Sequence, residues 1–186
     1  MGDLTDHDHH TKDSVIIVAS DPTWATLFAQ VRADLFIALG ARVLGIEHIG
    51  STAVPGLAAK PVIDVLLGVS HLEDTDDCVP ILRQRGWEYP EDFNKGLVGR
   101  RFFLKRNDEG IRTHHAHFVV HNGPLWAEYV GFRDKLRESH ELRQRYEKLK
   151  RDLAAKFHDQ RERYTASKTD FVKEVLELDG PPLSHG

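Results

Sequence analysis

The chain has 186 residues, 40% of them hydrophobic, and a formal net charge of -4 at pH 7. That is enough apolar material for one compact domain with its own core. The mild acidity argues against general electrostatic affinity for nucleic acid or an anionic membrane, and leaves room only for a local basic patch.

Residues 1–13 (MGDLTDHDHHTKD) are polar and read as a disordered tail without the apolar stretch of a signal peptide. His7, His9 and His10 there are either a metal-catching group or, as the simpler expectation, part of a solvated tail. Val15 to Ala19 reads as a short strand. Asp21-Pro22 opens a helix, with the acid as N-cap and proline at the first helical position. Trp24, Leu27, Phe28, Val31, Leu35 and Leu39 follow at helical spacing, so one face is buried, and Gly40 stops the helix.

Val43–Ile49 and Pro61–Val69 read as strands, both apolar enough to be central and covered on both faces. Between them runs GSTAVPGLAAK. A short helix is expected over Val79–Arg85, limited at its start by Pro80 and ending at Gly86. Trp87–Tyr89 is a short strand and 92–99 a loop. Arg101–Lys105 and His115–His121 are two further strands, joined by the turn residues Asn107 to Gly110. Cys78 is the one cysteine, so no internal disulfide forms, and no apolar run approaches the ~20 residues of a membrane span. These features are those of a cytoplasmic protein. From Pro124 the pattern turns helical over 125–137, 141–157 and 164–178, with Ser139 as an N-cap; 180–186 reads as frayed. The expected class is α+β, with a core over 14–123 and C-terminal helices over 124–178 packed on it.

The chemistry concentrates in IEHIGSTAVPGLAAKPVIDVLLGV, residues 46–69. Asp64 sits inside an apolar strand, where a carboxylate needs a partner. Gly50 permits close approach of a ligand to the backbone, Ser51 and Thr52 add hydroxyls, and the turn's N–H groups suit phosphate oxygens. A strand acid beside such a turn is a candidate nucleotide and metal site, because divalent cations at phosphates are often held by one or two carboxylates. A strand aspartate neutralised by a basic side chain is the plainer alternative. Lys60 lies at the end of the loop, placed for a phosphate. Arg100, Arg101, Lys105, Arg106 and Arg112 cluster around the predicted hairpin. Of these, Arg101 and Lys105 share one strand face and are candidate phosphate contacts, against the alternative of a solvated hairpin. Glu47 is a candidate second acid. His115 and His117, at i and i+2, point to one face, with His114 opposite. Glu47, Asp64, His115 and His117 together would make a mixed oxygen and nitrogen site for magnesium or manganese, with zinc or iron also suited. Trp24, Trp87 and Trp126 read as packing residues.

This central block resembles the GrpB family, small proteins placed in the nucleotidyltransferase superfamily that includes DNA polymerase beta. DPTWATLFAQ (21–30), HHAHFVV (114–120), FRDKLR (132–137), YEKLKRDLA (146–154) and YTASKTDFVKEVL (164–176) fall in the same order, so the resemblance covers roughly 14–178. It implies a mixed sheet flanked by helices, with Gly50-Ser51 as the superfamily's glycine-serine turn and Asp64 as a metal-holding strand carboxylate. In those enzymes metal ions polarise the α-phosphate of a nucleoside triphosphate while pyrophosphate leaves. Arg133, Lys150, Tyr164 and Lys168 match positions of the family pattern, either closing over the site or facing outward. The superfamily's usual strand motif carries two acids, but Val62 stands two residues before Asp64, and the later strand offers His115 and His117 in place of a third acid. The resemblance therefore implies a metal-dependent transferase moving NMP from an NTP to a small-molecule acceptor. A non-catalytic nucleotide- or cofactor-binding module is the alternative, linked to coenzyme A because some relatives are fused to dephospho-CoA kinase. A metal-dependent phosphohydrolase is another. Polymerase action on nucleic acid is not expected, since no long basic stripe appears. A shared metal and phosphate require the Asp64 carboxylate to lie within about 10 Å of the Gly50 turn.

Overall fold

Five strands form one mixed sheet in the order β1-β2-β5-β4-β3 in a computed structural model that describes residues 15–178. The tail at 1–13 with its histidines and the end at 180–186 lie outside the described residues. The elements run α1 (Thr23–Leu39), β1 (Gly45–Ile49), β2 (Ile63–Val69), α2 (Cys78–Arg83), β3 (Trp87–Glu88), α3 (Glu91–Lys95), β4 (Arg100–Arg106) and β5 (Arg112–Val120). Then follow α4 (Pro124–Glu138), α5 (His140–Lys156), α6 (Arg161–Ala166) and α7 (Thr169–Glu177). β2 pairs parallel with β5, and the other neighbours are antiparallel. The expected α+β class is therefore the observed one.

β2 is the strand whose apolar run demands cover on both faces. Ile63, Val65, Leu67 and Val69 pack with Phe103, Ala116 and Phe118 under Trp24, Val31, Leu35 and Leu39 of α1 and Leu82 of α2. On the other face Leu66 joins Ile49 and Val119 under Leu125, Trp126, Tyr129 and Val130 of α4. Each fully buried Leu or Val here contributes about 1.5–3 kcal/mol. β1 departs from expectation. It is an edge strand with one neighbour, and only His48 and Ile49 of its five residues are buried. Its polar Glu47 and His48 fit that position.

A cross-strand glycine pair lets α4 close down on the sheet. Gly45 is opposite Gly68. A Cβ on Gly68 would come within 2.9 Å of Trp126 and 2.8 Å of the His121 Cβ, and one on Gly45 within 2.8 Å of both rings. The two glycines form a floor on which Trp126 and His121 rest edge to face, with ring centroids 4.7 Å apart.

Other differences have local causes. Val15–Ala19 makes only an isolated bridge, Val18 to Ala59, and no strand. α1 begins at Thr23, one residue late, although Asp21 still accepts a hydrogen bond from the Thr23 amide at 2.8 Å. The expected loop at 92–99 holds α3, which places Asn94 so that its amide brackets the Phe102 backbone through two hydrogen bonds, 2.7 and 2.9 Å. Ser139 caps α5 as expected, accepting from the Leu142 amide at 3.2 Å. The expected helix at 164–178 is two helices, broken at Ser167-Lys168. Thr165, Ser167 and Thr169 there favour helix ends over interiors.

Gly68→Ala is expected to cost about 1–3 kcal/mol by overpacking against His121 and Trp126. Urea unfolding of the variant beside the wild type measures it.

Candidate metal and phosphate site

The site begins with strand register. Ile49 is opposite Asp64, and Asp64 is opposite His115, with His117 opposite Leu66. Asp64, His115, His117 and Glu47 therefore share the α4 face of the sheet. β1 ends beside Asp64 and the chain reverses at Gly50, whose φ is +70°. A Cβ on Gly50 would collide with the Asp64 carboxylate oxygen and stand 3.1 Å from its Cγ. Glycine is required here twice, for the left-handed backbone and for the contact. The turn and the acid thus touch, well inside the distance a shared ligand allows.

The acid's partners are histidines. The Asp64 carboxylate lies 2.8 Å from His115 Nδ1 and 3.9 Å from His117 Nε2. Burial pushes the Asp64 carboxyl up, but the hydrogen bonds and charges of His115 and His117 outweigh it and hold it well below the ordinary value. Burial also lowers His115 below the usual imidazole range, against the pull of Asp64. Arg161 Nη2 is 3.3 Å from His115 Nε2. Because guanidinium only donates, Nε2 accepts and Nδ1 carries the proton given to Asp64. His117 Nδ1 is buried with no hydrogen-bond partner.

Glu47 shares the face and is held elsewhere. Arg133 Nη1 donates to Glu47 Oε2 at 2.7 Å and to the His48 carbonyl at 2.9 Å. The metal-ligand atoms that lie within 4.8 Å of one another belong to Asp64, His115 and His117. Two imidazoles and a carboxylate suit zinc, manganese or iron. The Asp64 carboxylate and His117 Nε2, the nitrogen that faces it, offer lone pairs as they stand, whereas His115 would ligate only after losing the Arg161 contact at Nε2 or the proton at Nδ1.

The GSTAVPGLAAK loop is braced from within and by the C-terminal helices. The Thr52 hydroxyl donates to the Val62 carbonyl at 3.2 Å and lies 3.1 Å from His48 Nε2, so it braces the loop. Ser51 lies beside the Tyr146 hydroxyl. Arg137 donates to the Ala53 carbonyl at 2.9 Å and Lys150 to the Ala58 carbonyl. Arg133 and Lys150, 7% and 2% exposed, are buried braces and not an outer face.

Cations gather opposite the acid. Lys60 and Lys168 stand over the Tyr164 ring, 5.0 and 4.5 Å from its centroid. Burial first, then Arg161 and Lys168, bring Lys60 down to about 7. Burial, with Arg161 adding to it and Asp64 opposing, brings Lys168 to about 8. Arg101 and Lys105 are not part of this group. They pair with Phe118 and His114, on the α1 face, and Lys105 stands over the Trp87 ring. Arg100 faces the site instead and donates to the Tyr129 hydroxyl, whose ring is 5.5 Å from His117. Alternation alone could not say which face of β4 meets the histidines, because that depends on register with β5. Arg161 also escaped the sequence reading. Its signal was spacing: three residues before Tyr164, it falls on the same side of α6.

These features define an α+β protein with an acid–histidine cluster and a basic rim at a glycine turn. A family model described as GrpB protein matches residues 14–178, and the chain belongs to that family. It is 34% identical over 168 residues to the Glutamate-rich protein GrpB of Alkalihalophilus pseudofirmus, covering 89% of this chain and 95% of that one. It resembles the crystal structure of conserved protein GrpB from Enterococcus faecalis with a TM-score of 0.76 and 35% identity, over 86% of this chain and 94% of that one. A shorter match, 38% identical over 76 residues, joins 39% of this chain to 19% of a dephospho-CoA kinase of Mycolicibacterium paratuberculosis. No helix among the described residues is long and apolar enough to cross a membrane.

The buried His48 gives this region a pH signature. Burial lowers it to about 4, and it stacks on Phe28 at 4.5 Å. The unfolded chain binds its proton below the ordinary value of 6.5, the folded chain only below about 4. Stability therefore falls as pH drops through that window, by on the order of 3 kcal/mol from this group. Urea midpoints at pH 7, 5.5 and 4.5 are expected to fall in that order, and to fall less in His48→Gln.

Proposed function

We propose that this protein binds a nucleotide through its phosphates at the Gly50 turn and carries out metal-dependent nucleotidyl transfer to a small-molecule acceptor. The observation that carries the reading is the contact between the Gly50 turn and Asp64. A carboxylate flanked by two imidazoles meets backbone free of side chain at that point, with lysines across from it. Asp64, His115 and His117 are the residues that would hold the metal, which would polarise a phosphate oxygen. The turn backbone and Lys60 would orient the phosphates. Burial by α4 and the C-terminal helices limits water around the charges, which strengthens every interaction among them.

One observation favours a second reading. Glu47 is engaged by Arg133, so Asp64 is the one carboxylate of the cluster. A lone acid with two histidines suits a single metal that activates water, hence hydrolysis of a phosphate ester or anhydride. The similarity to part of a dephospho-CoA kinase makes coenzyme A a compound to include.

Thermal stability with ATP, GTP, CTP, UTP or coenzyme A, each with magnesium, manganese or zinc, tests the binding. A ligand at ~100 times its dissociation constant adds about 2.7 kcal/mol, or roughly 5–10 °C for a domain of this size. The expected result is a shift that needs both nucleotide and metal and is absent in Asp64→Asn. No shift with any pair overturns the proposal. Labelled NTP then separates the reactions: pyrophosphate released only with an acceptor indicates transfer, and release without one indicates hydrolysis.

A further inference from the structure

His115 differs from the other members of the cluster in being engaged at both ring nitrogens. Nδ1 donates to the Asp64 carboxylate at 2.8 Å, and Nε2 accepts from Arg161 Nη2 at 3.3 Å. A neutral imidazole has one N–H and one lone pair, and a guanidinium has donors only. His115 can meet a metal in two ways, and Arg161 stands across both. If Nε2 is the ligand atom, its lone pair must first leave Arg161. If Nδ1 is the ligand atom, its proton has to move to Nε2, where an N–H would then face the N–H of the guanidinium. While Arg161 keeps its contact, the atoms open to an ion are the Asp64 carboxylate and His117 Nε2, 3.9 Å apart. Catalytic zinc sites take three protein ligands, so the cluster in this state is one short.

The contact is placed so that it can be released. Arg161 is the first residue of α6, a helix of six residues that stops at Ser167. Tyr164, which is buried, anchors that helix independently of residue 161. Of the two hydrogen bonds on the His115 ring, the one from Arg161 is the longer and therefore the weaker. A guanidinium at the end of a long side chain can swing aside through its own torsions while α6 stays docked.

We propose that Arg161 is a latch on the metal site: while it donates to His115 the cluster offers two ligands, and its withdrawal supplies the third. The residue controls occupancy and takes no part in holding the ion. This rests on the reading of Asp64, His115 and His117 as metal ligands. Anything that draws the guanidinium aside, a bound anion included, then raises metal affinity, and by linkage the metal raises affinity for that anion.

The test uses the full chain, stripped of metal, with zinc alone as the probe and a competing chelating dye as the readout. His7, His9 and His10 also offer nitrogen ligands, so in each variant only the zinc binding that Asp64→Asn abolishes is counted. Arg161→Met is expected to tighten this binding roughly tenfold or more, because a ligand is freed with no hydrogen bond left to break. Adding His115→Gln to Arg161→Met is expected to return the affinity to the wild-type level or below. Lys168→Met controls for charge: it removes a cation that acts on Asp64 through space without uncovering a ligand atom, and is expected to change zinc affinity much less. Thermal midpoints check that the variants fold, and Arg161→Ala, which places the best helix former in α6, is the second variant. Unchanged or weaker zinc binding in folded Arg161 variants overturns the latch. So does equal tightening by Lys168→Met, or a gain that survives His115→Gln. In each of those cases Asp64-dependent zinc binding by the wild type leaves the metal reading standing. Zinc binding that Asp64→Asn reduces in no variant overturns the metal reading, and the latch with it.

Discussion

The contact between the Gly50 backbone and the Asp64 carboxylate sets the terms for everything around it. An ionised acid inside an apolar strand is tolerated only if its charge is met at close range. Here the register of β5 delivers two imidazoles to the same face, and one is fixed in its tautomer by Arg161. Because the turn lies against the acid, no side chain can occupy position 50, and the main chain itself becomes a wall of the site.

Holding that wall in place requires more than the sheet. The segment from 48 to 58 has few regular hydrogen bonds, and its carbonyls are taken up by cations from α4 and α5: Arg133 on His48, Arg137 on Ala53, Lys150 on Ala58. Val54 and Leu57 meanwhile pack into the apolar cluster formed by Leu136, Leu142, Tyr146 and Val175. A long irregular loop is thereby tied to two helices at several points. The charged residues of the family-like helical motifs brace the loop at their buried ends, while Tyr164 and Lys168 reach the candidate site.

Much of this was legible in the sequence, for identifiable reasons. The β2 run, the glycine turn and the i, i+2 histidines each carry a local signal, and together they located Asp64, Gly50, His115 and His117 on common ground. What failed was whatever depended on pairing. β1 looks central by composition but lies at an edge. Arg101 and Lys105 share a face, but the register of β4 with β5 makes it the wrong one and gives Arg100 the other. Glu47 reaches the correct face and is taken by Arg133, a partner 86 residues away that no local pattern announces. The kink at Ser167-Lys168 was written in three hydroxyl residues that helical periodicity alone overrides.

The two lysines over Tyr164 connect the beginning of the fold to its last helices, and this has a consequence for how the protein is made. The sheet through β5 contains the acid, the histidines and the glycine turn. The ring, Lys168 and Arg161 join only when residues 161–168 dock. During synthesis, where chains fold from the N-terminal side onward, the sheet can assemble while half of the basic rim is still to come. An anion that needs both halves then has affinity only for the completed fold, so its binding would act as a late lock on the structure rather than as a guide to its formation.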